Sequence, residues 1–340
     1  MPRCAVDDQR LEVGRRWVEE QLGGAVEMAP ASSDASFRRY FRARRGGRSW
    51  ILMDAPPEKE DCRPFVALAQ AMRAVGLNVP EVLAADLDRG YLLLTDLGET
   101  PYLAVLDGDR ADALYGDAME ALLRLQRARP PADLPRYDRA LLEDELALFT
   151  DWFLGRHLEM APPDEWPRVA EILVGAALEQ PVVWVHRDYH SRNLMYTEDH
   201  NPGVLDFQDA VLGPVSYDLV SLLRDCYIAW PEDRIQGWVR RYHRRLRDKG
   251  VVPAEVDEIT FRRWFDRMGM QRHLKAIGIF ARLNHRDGKP GYLNDIPRTL
   301  RYLQRVGAQD PAPEIRAFAA WLQQEVVPRL ESSCEVTCGR

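Results

Sequence analysis

The stretch VVWVHRDYHSRNLMY, residues 182–196, joins an apolar segment to a dense group of polar side chains. Val182 to Val185 have the character of a short buried strand. The next eight positions supply ionisable and amide side chains at His186, Arg187, Asp188, His190, Arg192 and Asn193. Leu194 and Met195 are apolar again. A carboxylate and an amide at the end of a buried strand indicate a site with a chemical role.

A second aspartate stands in a similar place further along the chain. In the segment GVLDFQDA, Asp206 again ends an apolar strand. We expect the strands at 182–185 and 203–206 to pair as a short ribbon. The ends of that ribbon would present Asp188, Asn193 and Asp206 around one point. One carboxylate can orient and deprotonate a hydroxyl, while the other joins the amide oxygen in holding Mg²⁺, which prefers hard oxygen ligands.

Both segments match the signature of phosphoryl transfer in protein kinases. HRDYHSRN meets the pattern H-R-D-x-x-x-x-N in full, and Asp206-Phe207-Gln208 stands in the place of Asp-Phe-Gly. Each motif alone is weak, because a histidine and aspartate this close are common in turns. Together, three residue types, two strand ends and the length between them predict a phosphotransferase site.

The other polar residues of the first segment have simpler interpretations. We expect His186 to brace the loop through backbone hydrogen bonds rather than to exchange protons. Arg187 and Arg192 are either solvated loop charges or groups that neutralise a phosphate or an anionic acceptor.

The chain leaves no room for the long activation segment of a protein kinase. GPVSYDLVSLL follows Asp206 almost at once, and no Ala-Pro-Glu motif comes after it. The acceptor is therefore expected to be a small molecule. The motifs HRDYHSRN, VLDFQD and PVSYDL resemble those of the aminoglycoside phosphotransferase and choline kinase superfamily, and the resemblance covers about residues 30–300.

Four further segments resemble a narrower group of enzymes. SDASFRRYFR, ILMDAPPEKEDCRPF, YLLLTDLG and QRHLKAIGIFARL are similar to the anomeric amino-sugar kinases of bacterial peptidoglycan recycling. That resemblance implies an ATP-dependent kinase that phosphorylates the C1 hydroxyl of N-acetylmuramate or N-acetylglucosamine. Its α-1-phosphate product would feed the synthesis of UDP-N-acetylmuramate. A kinase for another small hydroxyl compound (aminoglycoside, choline or homoserine) and a nucleotide-binding pseudokinase are the alternatives.

The resemblance also implies roles for individual residues. Asp188 would be the catalytic base, with Asn193 and Asp206 as magnesium ligands. Ser33 to Ser36 would occupy the place of the phosphate-covering loop, and Phe37 that of the residue that stacks on adenine. The hinge whose backbone binds adenine would consist of Leu94, Thr95, Asp96 and Leu97.

One position departs from the kinase pattern. The third strand usually carries a lysine for the α- and β-phosphates, and here that place holds Met53. A thioether cannot supply a positive charge. On the neighbouring strand Arg39 shares a face with Phe37, because alternate residues of a strand point the same way. We therefore expect Arg39, or alternatively Arg42, to contact the triphosphate, although these arginines also suit a solvated strand edge.

The pattern of elements predicts a bilobal α+β fold, and the resemblance implies that this fold is protein-kinase-like. Strands are expected at 37–43, 49–55, 79–86 and 90–97, with a fifth near 24–30. Helices are expected over 11–22, 60–75, 109–127, 138–158, 165–179, 218–229, 231–248, 255–282 and 311–330. A small β-rich, nucleotide-binding lobe would span 1–97, and a large, mostly helical catalytic and acceptor lobe would span 98–340.

Composition and charge narrow the class of protein. The chain has 340 residues, of which 46% are hydrophobic and 29% charged, as in a globular protein. A net charge of −7 argues against nucleic-acid binding, which needs a basic face. No apolar run suits a membrane span, and the N-terminus lacks the apolar core of a secretory signal. We expect a cytoplasmic enzyme with no obligatory protein partner.

The cysteines indicate no metal site. The five are at positions 4, 62, 226, 334 and 338. Cys334 and Cys338 lack the second pair of ligands that zinc requires. Reduced thiols are the expected state in the cytoplasm.

The acceptor region is basic. Residues 231–300 contain 16 Lys and Arg against 9 Asp and Glu, a balance of +7. A polycationic aminoglycoside would favour an acidic pocket, so a neutral or anionic sugar suits this region better. N-acetylmuramate carries a carboxylate. The candidate acceptor-binding residues are Arg192, Gln271, Arg272, His273 and Lys275.

Overall fold

The computed structural model describes residues 3–33 and 37–331. Ser36, Cys334 and Cys338 therefore lie outside the described residues, as does the side chain of Ser33. The chain divides into two compact units, Met1–Arg124 with Asn193–Asp209, and Leu125–Arg192 with Ala210–Arg340. The predicted boundary between lobes after residue 97 stays a prediction.

The first unit contains a five-stranded antiparallel sheet in the order β1-β2-β3-β5-β4. Its strands are β1 Glu27–Ser33, β2 Arg39–Arg45, β3 Arg48–Asp54, β4 Val82–Asp86 and β5 Tyr91–Thr95. Gly46 and Gly47 join β2 to β3 with φ angles of 58° and 77°. Positive φ at both central residues is the requirement of the tight hairpin turn that matches strand twist. The predicted five strands are confirmed.

Two helices pack with this sheet. α1 (Arg3–Leu22) contributes Trp17 and Val18 to a buried cluster that includes Leu52 of β3. α2 (Arg63–Ala74) buries Phe65, Leu68, Ala69 and Met72, the residues whose spacing predicts an amphipathic helix.

The rest of the chain is mainly helical. The α-helices are α3 Tyr102–Val105, α4 Ala111–Arg127, α5 Arg139–Leu148, α6 Trp166–Leu178, α7 Tyr217–Leu223, α8 Glu232–Asp248, α9 Glu258–Asp287, α10 Ile296–Gly307 and α11 Pro313–Trp321. Phe149–His157 and Leu322–Val326 are π-helical, and Pro290–Asp295 is a 3₁₀ helix. None of the helices in the described part of the chain is long and apolar enough to cross a membrane.

A predicted helix needs correction, and an observed helix lacks a prediction. The helix predicted over 218–229 ends at Leu223, because Arg224 leaves the helical conformation with φ −116° and ψ 52°. The helix α10 was not predicted at all. Its amphipathic pattern is short, and it follows a segment with Gly and Pro that reads as a loop.

The predicted ribbon between 182–185 and 203–206 is wrong. β6 (Val182–Val185) pairs instead with β9 (Val211–Pro214). β7 (Leu194–Met195) pairs with β8 (Gly203–Val204) as a local hairpin. For β8, the nearer partner in sequence, β7, closes a shorter loop at a lower entropic cost than β6 would.

Gly278 permits a close helix crossing within the second unit. A Cβ added there would lie 2.3 Å from the backbone carbonyl carbon of Leu148, at the end of α5. We expect Gly278→Ala to lower the free energy of unfolding by about 1–3 kcal/mol, measured by urea denaturation, because the helices must separate. In Gly237→Ala, at an uncrowded position of α8, the same methyl group should instead stabilise the helix. Equal effects of the two substitutions would contradict this account of the crossing.

Candidate active site

In the first unit, Asn193 and Asp206 lie side by side. The β7–β8 pairing brings their backbones together, and the Leu205 N–H donates to the Asn193 carbonyl at 2.9 Å. Asn193 Nδ2 donates to Asp206 Oδ2 at 3.0 Å, and Gln208 Nε2 donates to Asp206 Oδ1 at 2.7 Å. Asp206 itself has a φ of 64°, the left-handed conformation that turns the chain out of the strand.

This pair of side chains fits a magnesium ion. The Asn193 amide donates its hydrogen bond through nitrogen, so its oxygen is the atom that could bind a metal. A carboxylate oxygen keeps acceptor capacity after receiving one hydrogen bond. Magnesium is usually held by one or two protein ligands together with water and phosphate oxygens, so two oxygen donors are sufficient.

Phe207 anchors the segment that carries Asp206. Its ring is fully buried, and its centroid lies 4.8 Å from that of Phe65 on α2. The strand before it is also held, because the Val204 N–H donates to the carbonyl of Asn78 at 2.7 Å. The aspartate is therefore placed by packing with α2 and by a backbone hydrogen bond.

The predicted hinge residues lie at the end of β5. Leu94 is buried, and Thr95 exchanges hydrogen bonds with Glu81. Asp96 binds Arg42, with Nε at 2.6 Å and Nη2 at 3.0 Å. Burial raises the pKa of Asp96, but the hydrogen bond from Arg42 is among the effects that bring it below its usual value. Adenine binding by Leu94 to Leu97 stays a prediction.

Ser33 to Ser36 were predicted to cover the phosphates, and Phe37 to stack on adenine. Of these residues, Phe37 is the one whose side chain belongs to the described part of the chain. It is 61% exposed, and Lys59 Nζ lies 5.4 Å from its ring centroid. Ser33 ends β1 opposite Arg39. The roles predicted for Ser33, Ser36 and Phe37 stay predictions.

Arg39 binds a carboxylate on the sheet. Asp54 at the end of β3 is fully buried and accepts hydrogen bonds from Arg39 Nε at 2.9 Å and Arg10 Nε at 2.6 Å. Arg10 belongs to α1, so this ion-pair group holds the helix to the sheet. Arg42 is paired with Asp96, as described above. Both arginines expected at the triphosphate thus have a structural explanation.

The two explanations for Arg39 can be separated by one substitution. Arg39→Met should lower the free energy of unfolding by about 1–3 kcal/mol, because Asp54 loses one of the arginines that bind it. We expect its affinity for Mg·ADP, measured by calorimetry, to stay within about twofold of the wild type, a small free-energy change. A large loss of ADP affinity without a loss of stability would favour the triphosphate contact.

In the second unit, the loop that carries Asp188 is held by two buried carboxylates. Asp218 on α7 accepts the backbone N–H groups of His186 at 2.7 Å and Arg187 at 2.9 Å. Asp225 accepts the Ser191 N–H at 3.0 Å and also binds its hydroxyl. The Asp188 N–H donates to His186 Nδ1 at 3.2 Å, so the bracing role predicted for His186 is confirmed.

Asp188 lies among positive charges and keeps partial solvent exposure. The surrounding protein raises the pKa of this carboxyl by desolvating it. Lys275, His190 and Arg272 act in the opposite direction, and the net pKa lies below the ordinary aspartate value. Asp188 is therefore ionised at neutral pH and can accept a proton.

Lys275 is held by a buried glutamate. Its Nζ lies 2.7 Å from Glu145 Oε1 and donates to the Tyr217 hydroxyl at 3.1 Å. Arg187 and Gln271 also bind Glu145. Burial raises the pKa of Glu145, but the charges of Lys275 and Arg187 bring it below its ordinary value. This network aligns the lysine beside the loop of Asp188.

The other acceptor candidates differ in their surroundings. Arg272 is buried with Nη1 3.9 Å from Cys226 Sγ. Burial lowers the pKa of Arg272, but its acidic neighbours, including Asp188, raise it above its ordinary value. The guanidinium therefore stays charged next to the predicted base.

His273 and Arg192 contact other groups than Asp188. His273 Nε2 lies 2.9 Å from the Arg224 carbonyl, and its ring stacks on Tyr302 at 4.9 Å. Burial lowers the pKa of His273 to about 3. Arg192 lies over the ring of Tyr227 at 3.5 Å and is largely exposed. The structure thus brings Arg272 and Lys275 to Asp188, and gives His273 a packing role.

Three residues of this site were not among those predicted from the sequence. Asp218, Asp225 and Glu145 act through partners far away in the chain, so local pattern carries little information about them. The sequence did contain one indication that Asp218 is functional, because this residue is the aspartate of the PVSYDL motif.

The comparison with protein families agrees with this geometry. A family model described as "Phosphotransferase enzyme family" matches residues 27–257. The chain belongs to this family. The protein is accordingly a phosphotransferase, as its sequence motifs predict, and the pseudokinase alternative loses its support.

Two curated bacterial relatives resemble the phosphotransferase over nearly its whole length. One from Pseudomonas aeruginosa is 51% identical over 321 residues, covering 90% of this chain and 94% of that protein. One from Pseudomonas putida is 46% identical over 339 residues, covering 95% of this chain and 98% of that protein. Both are named N-acetylmuramate/N-acetylglucosamine kinase.

Solved structures confirm the predicted kinase-like fold of the phosphotransferase. The ADP-bound aminoglycoside phosphotransferase APH(2'')-Ib matches with a TM-score of 0.55 at 15% identity. The match covers 85% of this chain and 97% of that one. At this identity the likeness concerns the fold alone.

Proposed function

We propose that the phosphotransferase transfers the γ-phosphoryl group of ATP to the anomeric C1 hydroxyl of N-acetylmuramate or N-acetylglucosamine. The observation that carries the proposal is the near full-length similarity to two proteins named as kinases of these sugars. The product would be the α-1-phosphate, which feeds UDP-N-acetylmuramate synthesis in peptidoglycan recycling. ATP-dependent synthesis of a sugar phosphate fits the cytoplasm, where ATP is made.

Asp188 is the proposed base. It orients the C1 hydroxyl and accepts its proton as the oxygen attacks the γ-phosphorus in line, while the bond from that phosphorus to the β,γ-bridging oxygen breaks and ADP leaves. The lowered pKa keeps this carboxylate ionised, at some cost in basicity. A hemiacetal hydroxyl is more acidic than an ordinary alcohol, so a weak base suffices. The two bonds from the loop to Asp218 keep the carboxylate in place for this proton transfer.

Asn193 and Asp206 are the proposed ligands for Mg²⁺. A magnesium ion there would neutralise charge on the β- and γ-phosphates. The Phe207–Phe65 contact keeps Asp206 in position, and the Asn193–Asp206 hydrogen bond fixes the two side chains relative to each other.

The charges beside Asp188 favour a neutral or anionic acceptor. Arg272 and Lys275 both act on its carboxylate, and both are charged at neutral pH. The carboxylate of N-acetylmuramate would be attracted to them, whereas a polycationic aminoglycoside would be repelled. Gln271, beside Glu145, is a further candidate for the sugar.

The acceptor can be tested by measuring ADP release with three compounds. We expect Mg·ATP turnover with N-acetylmuramate and N-acetylglucosamine, and none above background with kanamycin. Turnover with kanamycin alone would overturn the sugar assignment while leaving the phosphotransferase family intact.

A further inference from the structure

The first unit lacks the usual cation of its third strand. In protein kinases a lysine on this strand binds the nucleotide phosphates and pairs with a glutamate of the following helix. Here the position holds Met53, which is fully buried and uncharged. A triphosphate bound at this sheet requires a positive charge from another residue.

Arg38, the residue directly before the neighbouring strand β2, forms a comparable ion pair. Its Nη2 donates to Glu60 Oε2 at 2.8 Å, and the two side chains are only 13% and 18% exposed. Glu60 lies shortly before α2. The partner of the lysine in kinases is likewise a glutamate associated with this helix. Arg38 is therefore paired as the absent lysine would be.

Strand alternation separates Arg38 from Arg39. Tyr40 is opposite Met53, and Arg39 is opposite Asp54. Arg38 directly precedes β2, two residues before Tyr40, so continuing the alternation of β2 gives it the face of Tyr40 and Met53. Arg39 points to the other face, where Asp54 also binds Arg10 of α1.

The segment around α2 also reaches the proposed metal ligands. Phe65 of α2 packs against Phe207, which is adjacent to Asp206. The segment 60–65 thus binds Arg38 through Glu60. Through Phe65 it packs against Phe207, the neighbour of the proposed metal ligand Asp206.

We propose that Arg38 binds the phosphates of the nucleotide in place of the lysine, and that Glu60 is its positioning residue. A guanidinium can donate two parallel hydrogen bonds to phosphate oxygens while it keeps a third donor for a carboxylate. The limited exposure of the pair reduces screening by solvent. The inference rests on ATP as the donor and is independent of which sugar is the acceptor.

The test is calorimetric binding of Mg·ADP and of adenosine, without any acceptor. Arg38→Met should lower Mg·ADP affinity about 10- to 100-fold, the range for a lost charge-assisted hydrogen bond, and leave adenosine affinity unchanged. Arg44→Met is the matched control, since Arg44 of β2 is an even number of residues from Arg38 but pairs with exposed Glu99, and this variant should bind Mg·ADP normally.

Two further variants test the inference if Arg38→Met does not fold. Arg38→Lys should bind Mg·ADP more tightly than Arg38→Met but less tightly than the wild type, because it keeps the charge and loses the paired donors of the guanidinium. Glu60→Gln should lose part of the wild-type Mg·ADP affinity. Thermal unfolding monitors the fold of each variant. Wild-type Mg·ADP affinity in Arg38→Met, or in Glu60→Gln if the former does not fold, would overturn the inference. An equal loss of adenosine affinity would also overturn it, because that would indicate a structural role.

Discussion

Asp188→Asn is expected to lower kcat about 100- to 10,000-fold, the usual contribution of a positioned general base. Asparagine keeps the shape of the side chain but cannot accept the proton of the sugar hydroxyl. Mg·ADP affinity should change little, since the proposed magnesium ligands are Asn193 and Asp206. Steady-state kinetics with N-acetylmuramate and calorimetry with Mg·ADP measure the two effects.

The same substitution at an exposed aspartate provides the control. Asp199 lies in the turn between β7 and β8, and it is exposed. Asp199→Asn should have wild-type kcat. If Asp188→Asn retained more than about a tenth of the activity, far above the level left without a general base, the base would be another residue.

Glu145→Gln is expected to lower the free energy of unfolding by about 3–5 kcal/mol at pH 7, because it leaves Lys275 and Arg187 buried without their carboxylate. The side chains of Lys275 and Arg187 should then change position, and kcat should fall while the protein remains folded. Urea denaturation measures the stability, and Glu143→Gln is the matched control. Glu143 is on the same helix and 53% exposed, with Arg139 at 3.2 Å, so its loss should cost less than about 1 kcal/mol.

The difference in unfolding free energy between the wild type and Glu145→Gln should depend on pH, because it follows the pKa of Glu145. This pKa is lower in the folded protein than its ordinary value. The ionised carboxylate therefore stabilises the fold above the ordinary glutamate pKa, and this contribution is lost as the pH falls through the folded value. The stability gap between wild type and Glu145→Gln should narrow in acid. A gap that is constant with pH, or equal loss in both glutamine variants, would contradict the buried-charge network.

The sequence was most informative where the signal is local. The hairpin between β2 and β3 could be predicted because two glycines separate two alternating strands, and the helix α2 because its apolar residues recur on one face. The motifs around Asp188, Asn193 and Asp206 predicted a phosphotransferase because their order and residue types are restrictive.

The sequence was least informative where partners are distant. Strand alternation predicted that Arg39 and Phe37 share a face, but it could not show that Asp54 binds Arg39 together with Arg10 of α1. Pairing between 182–185 and 203–206 was predicted because both segments are apolar and lead into an aspartate, Asp188 and Asp206. The choice of β9 as the partner of β6 depends on the whole second unit. Glu145 was recognisable only once its partners could be seen, whereas Asp218 belongs to the PVSYDL motif and only its bonds to the loop of Asp188 could not be predicted.

The most direct test of the proposed reaction is the proton coupling of the product's phosphorus-31 resonance. The purified protein is incubated with Mg·ATP and N-acetylmuramate, and the new phosphomonoester signal is recorded with and without proton decoupling. A sugar phosphorus coupled to the single anomeric proton, and lost with Asp188→Asn, is the predicted result. A phosphorus coupled to the two protons of the sugar C6 methylene would contradict it, because the enzyme would then phosphorylate an ordinary alcohol.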